Sequence, residues 1–99
     1  MHISYAKVTL RMPYVHSLKQ KRQIIQSIKG KLRHRFAQLM VAEVEHHDQW
    51  QLTTLAIAAI NYQRRPLESF IGQVINYWQH ELFMDAEIID IQQQTITTD

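Results

Sequence analysis

Five residues near the middle of the chain offer metal-ligand chemistry: Glu43, Glu45, His46, His47 and Asp48. Imidazole and carboxylate suit zinc or manganese, but adjacent histidines on a short turn rarely converge on one ion. No helical H-x-x-x-H spacing and no distant third ligand supports them. A polar turn with Asp48 in an Asx-turn explains the segment better, with His46 and His47 left as pH-sensitive groups. No metal and no cofactor is expected, and a metal-dependent hydrolase ranks last among the readings. Nucleophilic catalysis fares no better. The chain has no cysteine and no G-x-S-x-G, and Ser17 beside His16 is the first residue of a capping box completed by Gln20. A cap serine spends its oxygen on backbone N–H groups. With only Gly30 and Gly72 there is no glycine loop to cradle phosphate, so the expectation is not an enzyme.

The cations carry more information. Nine of the eleven lysines and arginines precede Glu43, the first acid, so residues 1–42 carry +9 and the remainder −7 within a formal net charge of +2. Lys19, Arg22, Lys29 and Arg33 fall within about 80° on a helical wheel, and no acid lies among them to form i,i+4 pairs. Lys19, Lys21 and Arg22 crowd a first turn, where the helix dipole disfavours cations and free N–H groups favour an anion. Lys21 itself falls inside the apolar arc, between Leu32 and Ile28, and reads as a side chain that snorkels around the core edge. His16, just before the helix, is placed to donate to the same anion. The candidate nucleic-acid-binding set is therefore His16, Ser17, Lys19, Lys21, Arg22, Lys29 and Arg33, with RNA phosphates or a ribosomal particle as partner.

The elements that position these residues follow from periodicity. Ala6, Val8, Leu10 and Met12 alternate with Tyr5, Lys7, Thr9 and Arg11, which predicts a strand ended by Pro13. A helix follows from Ser17 to about Phe36, its core stripe of Leu18, Ile24, Ile25, Ile28, Leu32 and Phe36 spanning roughly 120°. Residues 39–45 and Trp50–Ile60 read as strands, and Pro66 opens a second helix whose stripe includes Leu67, Ile71, Val74 and Trp78. Residues 84–92 read as a fourth strand. One domain, 1–92, is expected, with 93–99 a frayed polar tail. The order βαββαβ folds most economically as an α+β ferredoxin-like domain: a four-stranded antiparallel sheet, two helices on one face, the first and third strands central. No run approaches the roughly 20 apolar residues of a membrane span, and a soluble cytoplasmic protein is the default expectation.

Three segments bear a family likeness: His16-Ser17-Leu18-Lys19-Gln20-Lys21-Arg22, Arg33-His34-Arg35-Phe36, and Val41-Ala42-Glu43-Val44-Glu45-His46-His47-Asp48-Gln49-Trp50-Gln51. Together, at matching spacing from about Val8 to Ile91, they resemble the bacterial YlxP-like family, a small domain of unknown function. The resemblance implies a ferredoxin-like fold and a setting beside translation and ribosome-maturation genes, without an established reaction. Where that family usually carries arginine after the Trp-Gln pair, this chain has Leu52.

The fold leaves one sheet face open. If Leu55 and Ile57 point inward, Trp50, Leu52, Ala56 and Ala58 share that face with Tyr5, and such an apolar strip is a binding platform or a dimer interface. Tyr5 and Trp50 would also suit stacking on bases, although no RNP1 motif is present. The preferred reading is a non-enzymatic RNA-contacting or ribosome-associated accessory domain. The alternative is a protein-interaction module that forms a homo-oligomer through Tyr5, Trp50, Leu52, Ala56 and Ala58.

Overall fold

The computed structural model describes residues 1–82 and 86–99. The chain runs β1 (His2–Arg11), α1 (Leu18–Arg35), β2 (Met40–Glu45), β3 (Leu52–Asn61), α2 (Arg64–His80) and β4 (Glu87–Thr97). The sheet order is β2-β3-β1-β4 and all three pairings are antiparallel, so this is the expected ferredoxin-like α+β fold with β1 and β3 at the centre. Val8 pairs with Leu55 on one side and Ile91 on the other.

Alternation explains the layering. Ala6, Val8 and Leu10 of β1, Val41 of β2 and Leu55 and Ile57 of β3 are buried beneath Ile25, Ile28 and Leu32 of α1 and Ile71, Val74 and Trp78 of α2, in one core. Phe36 closes the far end of α1 edge-on against Phe70 and Tyr77. Tyr5, Lys7, Thr9 and Arg11 pair with Ala58, Ala56, Thr54 and Leu52, and these side chains face away from the helices. No helix among the described residues is long and apolar enough to cross a membrane.

Three boundaries depart from the sequence reading. β3 begins at Leu52, which leaves Trp50 in the β2–β3 hairpin. Helix α2 begins at Arg64, putting Pro66 in its third position; this is tolerated because the first turn's N–H groups have no helical acceptor. The tail expected to fray is strand: β4 continues to Thr97, pairing Gln93 with Ala6, Thr95 with Ser4 and Thr97 with His2. The Met1 and Thr98 backbones bond reciprocally beyond it, because the first residues of β1 require a partner on that side. A register shift opposite Thr9 and Leu10 leaves Ile89 unpaired between Asp90 and Ile88. The first two residues of the expected fourth strand, 84–85, lie outside the described residues.

Candidate nucleic-acid interface

At the end of the sheet where β1 gives way to α1, two loops are joined by side chains of the family-like segments. The Met12 N–H donates to the Gln51 carbonyl at 2.9 Å, and the Gln51 amide donates to the carbonyls of Pro13 and Val15 at 3.2 and 3.1 Å. The hairpin is thereby fastened to the loop that leads into α1. Ser17 caps that helix, accepting from the Gln20 N–H at 3.1 Å, while the Gln20 side chain accepts from the His16 N–H at 2.7 Å. This is the reciprocal pattern expected of a capping box, with the return bond made one residue early.

Lys21 departs from the position expected for it at the edge of the core. It is 1% exposed, so it neither snorkels to solvent nor belongs to a phosphate-binding surface. Its ammonium donates to the carbonyls of His46 and Gln49 at 2.5 and 2.6 Å and lies 3.0 Å from the Glu43 carboxylate, with the His47 carbonyl at 3.4 Å. Three acceptors satisfy its three N–H groups, so the buried charge is both paired and bonded. Glu43 also accepts from the Thr53 hydroxyl at 2.5 Å. Desolvation pushes its carboxyl upward, but the hydrogen bonds from Thr53 and Lys21 and the attraction of that ammonium hold it below its ordinary value. Lys21 thus ties α1 to the hairpin. His46 adopts φ 66°, a left-handed conformation uncommon outside glycine, in the turn whose carbonyl oxygens meet the ammonium.

The histidines of that turn are engaged locally. The His46 ring lies 3.3 Å from the Gln49 side-chain nitrogen, and the His47 ring lies 3.1 Å from the Glu43 carbonyl. The turn closes through the Gln49 N–H on the His46 carbonyl at 3.2 Å, in place of the Asx-turn expected at Asp48. Among the described residues, no three His, Asp or Glu side chains gather in a metal-binding group.

The other candidate cations lie on the solvent side of α1. Lys19, Arg22 and Arg33 are exposed and Lys29 is half-buried on one stripe of α1, whose first turn contains no acid. Among the described residues, Lys19, Arg22 and Lys29 have no acid within ion-pair distance, and Arg33 donates to the Val41 carbonyl of β2 at 3.3 Å. Arg35, by contrast, is engaged: it lies 3.9 Å from Glu81, with its guanidinium over the rings of Phe36 and Tyr77. Trp50, 51% exposed, directly follows Gln49, whose carbonyl Lys21 holds, and Tyr14, 79% exposed, lies in the loop that Gln51 fastens. Sequence reasoning missed Tyr14; its place between Pro13 and the cap at Ser17 was the available signal.

The expected apolar strip does not run unbroken. Leu52, Ala56 and Ala58 do face away from the helices, but Lys7 of β1 reaches across β3 to pair with Glu45 of β2, laying charge over the small residues beneath it. Tyr5 donates its hydroxyl to the Gln94 side chain at 2.7 Å. The apolar part of this face lies at the opposite end, where Ile3 pairs with both Ile60 and Ile96, next to Met40. A cavity of about 860 Å³ opens there, lined partly by Ile3, Met40, Ile60, Tyr62 and Phe70; Ala58 of the expected interface lines it, and none of the expected nucleic-acid-binding residues does.

Residues 3–93 match the profile of a family described as proteins of unknown function, DUF503. The chain belongs to that family. A comparison with curated proteins gives no match.

Proposed function

We propose that this protein is a non-enzymatic, cytoplasmic RNA-contacting accessory domain, its α1 stripe binding the phosphate backbone. The observation that carries the reading is the set of cations without acid partners: Lys19, Arg22 and Lys29, extended by Arg33, on a helix whose exposed face offers them no carboxylate. Like charges held together repel one another, and a polyanion relieves that repulsion while releasing its own counterions. His16 at the helix mouth adds a donor next to the first-turn amides that Ser17 does not cap. Trp50 and Tyr14 supply exposed rings beside α1, suited to stacking on unpaired bases. The likeness of the three segments to YlxP-like proteins supports a setting in translation or ribosome maturation.

Lys21 is excluded from the binding set and Ser17 contributes as the cap. The test compares binding of structured RNA and of ribosomal particles by wild type, Lys19→Glu combined with Arg22→Glu, and His46→Ala. The double reversal weakens binding irrespective of RNA sequence, and His46→Ala leaves it near wild type. Unchanged binding by a folded double reversal would reduce the stripe to a solvated face.

A further inference from the structure

The two margins of the sheet are treated differently. β2 is six residues long, carries Glu43 and Glu45, and has its Val41 carbonyl bonded by Arg33 from α1. These are the features by which an edge strand resists pairing with another chain. β4 has eleven residues, and its segment Ile91–Thr97 contains no charge, no proline and no glycine. Among the described residues, no helix side chain bonds to that segment; its side-chain partners lie on β1, apart from Asp90 of β4 itself, which accepts from Gln92. Its acids are confined to the other end, at Glu87 and Asp90, with Glu87 paired to Arg11.

We infer that two copies of this chain join along the outer edge of β4, antiparallel about a two-fold axis at Gln94, to make one continuous eight-stranded sheet. A second copy fits because the segment is complementary to itself. For open faces to continue across the seam, paired residues must have the same parity, and the register centred on Gln94 sets all seven neutral residues against one another. Gln92 then meets Ile96, Gln93 meets Thr95, and Gln94 meets its own copy. The two Asp90 carboxylates stand eight residues apart along the seam, about 27 Å, so their repulsion is screened.

The pairing has a functional consequence, which alone rests on the RNA reading above. A two-fold axis perpendicular to the sheet puts both helical layers on one side. α1 lies over β2, so the two basic stripes are separated by about seven strand spacings, roughly 34 Å. Two such stripes on one polyanion bind with avidity.

Sedimentation equilibrium without nucleic acid tests the pairing. Wild type should show twice the 11.8 kDa chain mass. Gln93→Lys combined with Gln94→Lys sets like charges across the seam and should raise the dimer dissociation constant at least about tenfold. Gln93→Thr combined with Gln94→Thr, and Ile60→Glu on the open face, should leave it unchanged. Amide exchange on wild type gives a second readout independent of folding in the variants: outward-facing amides of Ile91–Thr97 should be protected in proportion to protein concentration. A monomeric wild type, a dimer indifferent to the lysines, or one dissolved by Ile60→Glu would overturn the inference.

Discussion

Replacing Lys21 by methionine keeps the apolar stem and removes the ammonium. The carbonyl of Gln49 then loses its donor, the His46 carbonyl keeps only the Gln49 N–H, and Glu43 keeps only Thr53. Removing one member of a buried ion pair costs about 3–5 kcal/mol. The Glu43 side chain is 19% exposed, so water reaches the orphaned carboxylate and the lower figure, about 3 kcal/mol, applies. That is a large part of the 5–15 kcal/mol typical of a domain. With a urea slope of about 1–1.5 kcal/mol/M, the unfolding midpoint falls by about 2 M or more. Fluorescence of Trp78, buried in the core, reports the transition. Glu43→Gln in both backgrounds completes a double-mutant cycle with an expected coupling of about 1–3 kcal/mol. The pH dependence has a defined sign: the Glu43 carboxyl is held below its ordinary value of 4.5, so its contribution is complete above that value and is lost as pH falls through the lowered one. In Glu43→Gln that acid-side loss should shrink. A Lys21→Met cost below about 1 kcal/mol, or strict additivity in the cycle, would refute a clamp made by this ammonium.

Two further stability predictions follow from the helix cap and the last strand. Ser17→Ala removes the acceptor for the Gln20 N–H and should cost about 1 kcal/mol in urea unfolding, whereas Ser17→Asp should retain most of the stability. Deleting residues 93–99 strips β1 of the partners of His2–Ala6 and should cost about 2–5 kcal/mol in thermal or urea unfolding; an unchanged midpoint would mean the segment is a dispensable tail.

Much of this architecture is legible in the sequence because burial on one face imposes period two on β1 and period 3.6 on the helices. Ala6, Val8 and Leu10 and Ile25, Ile28 and Leu32 are all buried as their spacing requires. The second half of β4 lacks that signal: its role is to satisfy the backbone of β1, and glutamines do so without alternating hydrophobicity. The β-branched run Thr95-Ile96-Thr97 was its only trace. Lys21 was marked by its position inside the apolar arc, yet its true partners include backbone carbonyls at His46 and Gln49, which any residues could supply. The break in the open face was similarly hidden. Lys7, opposite Ala56, meets Glu45, opposite Thr54, only because β3 lies between their strands and sets the distance, and that follows from strand order and register together.

The salt dependence of RNA binding tests the central claim most directly. Four phosphate contacts, one each from Lys19, Arg22, Lys29 and Arg33, predict that log K falls against log salt with a slope near −2.8 for a single strand, at about −0.7 per contact. Lys19→Gln combined with Arg22→Gln should halve it to about −1.4, while Lys31→Gln, off the stripe, should leave it near the wild-type value. A folded double variant with an unaltered slope, or a wild type that binds no RNA at low salt, would contradict the account.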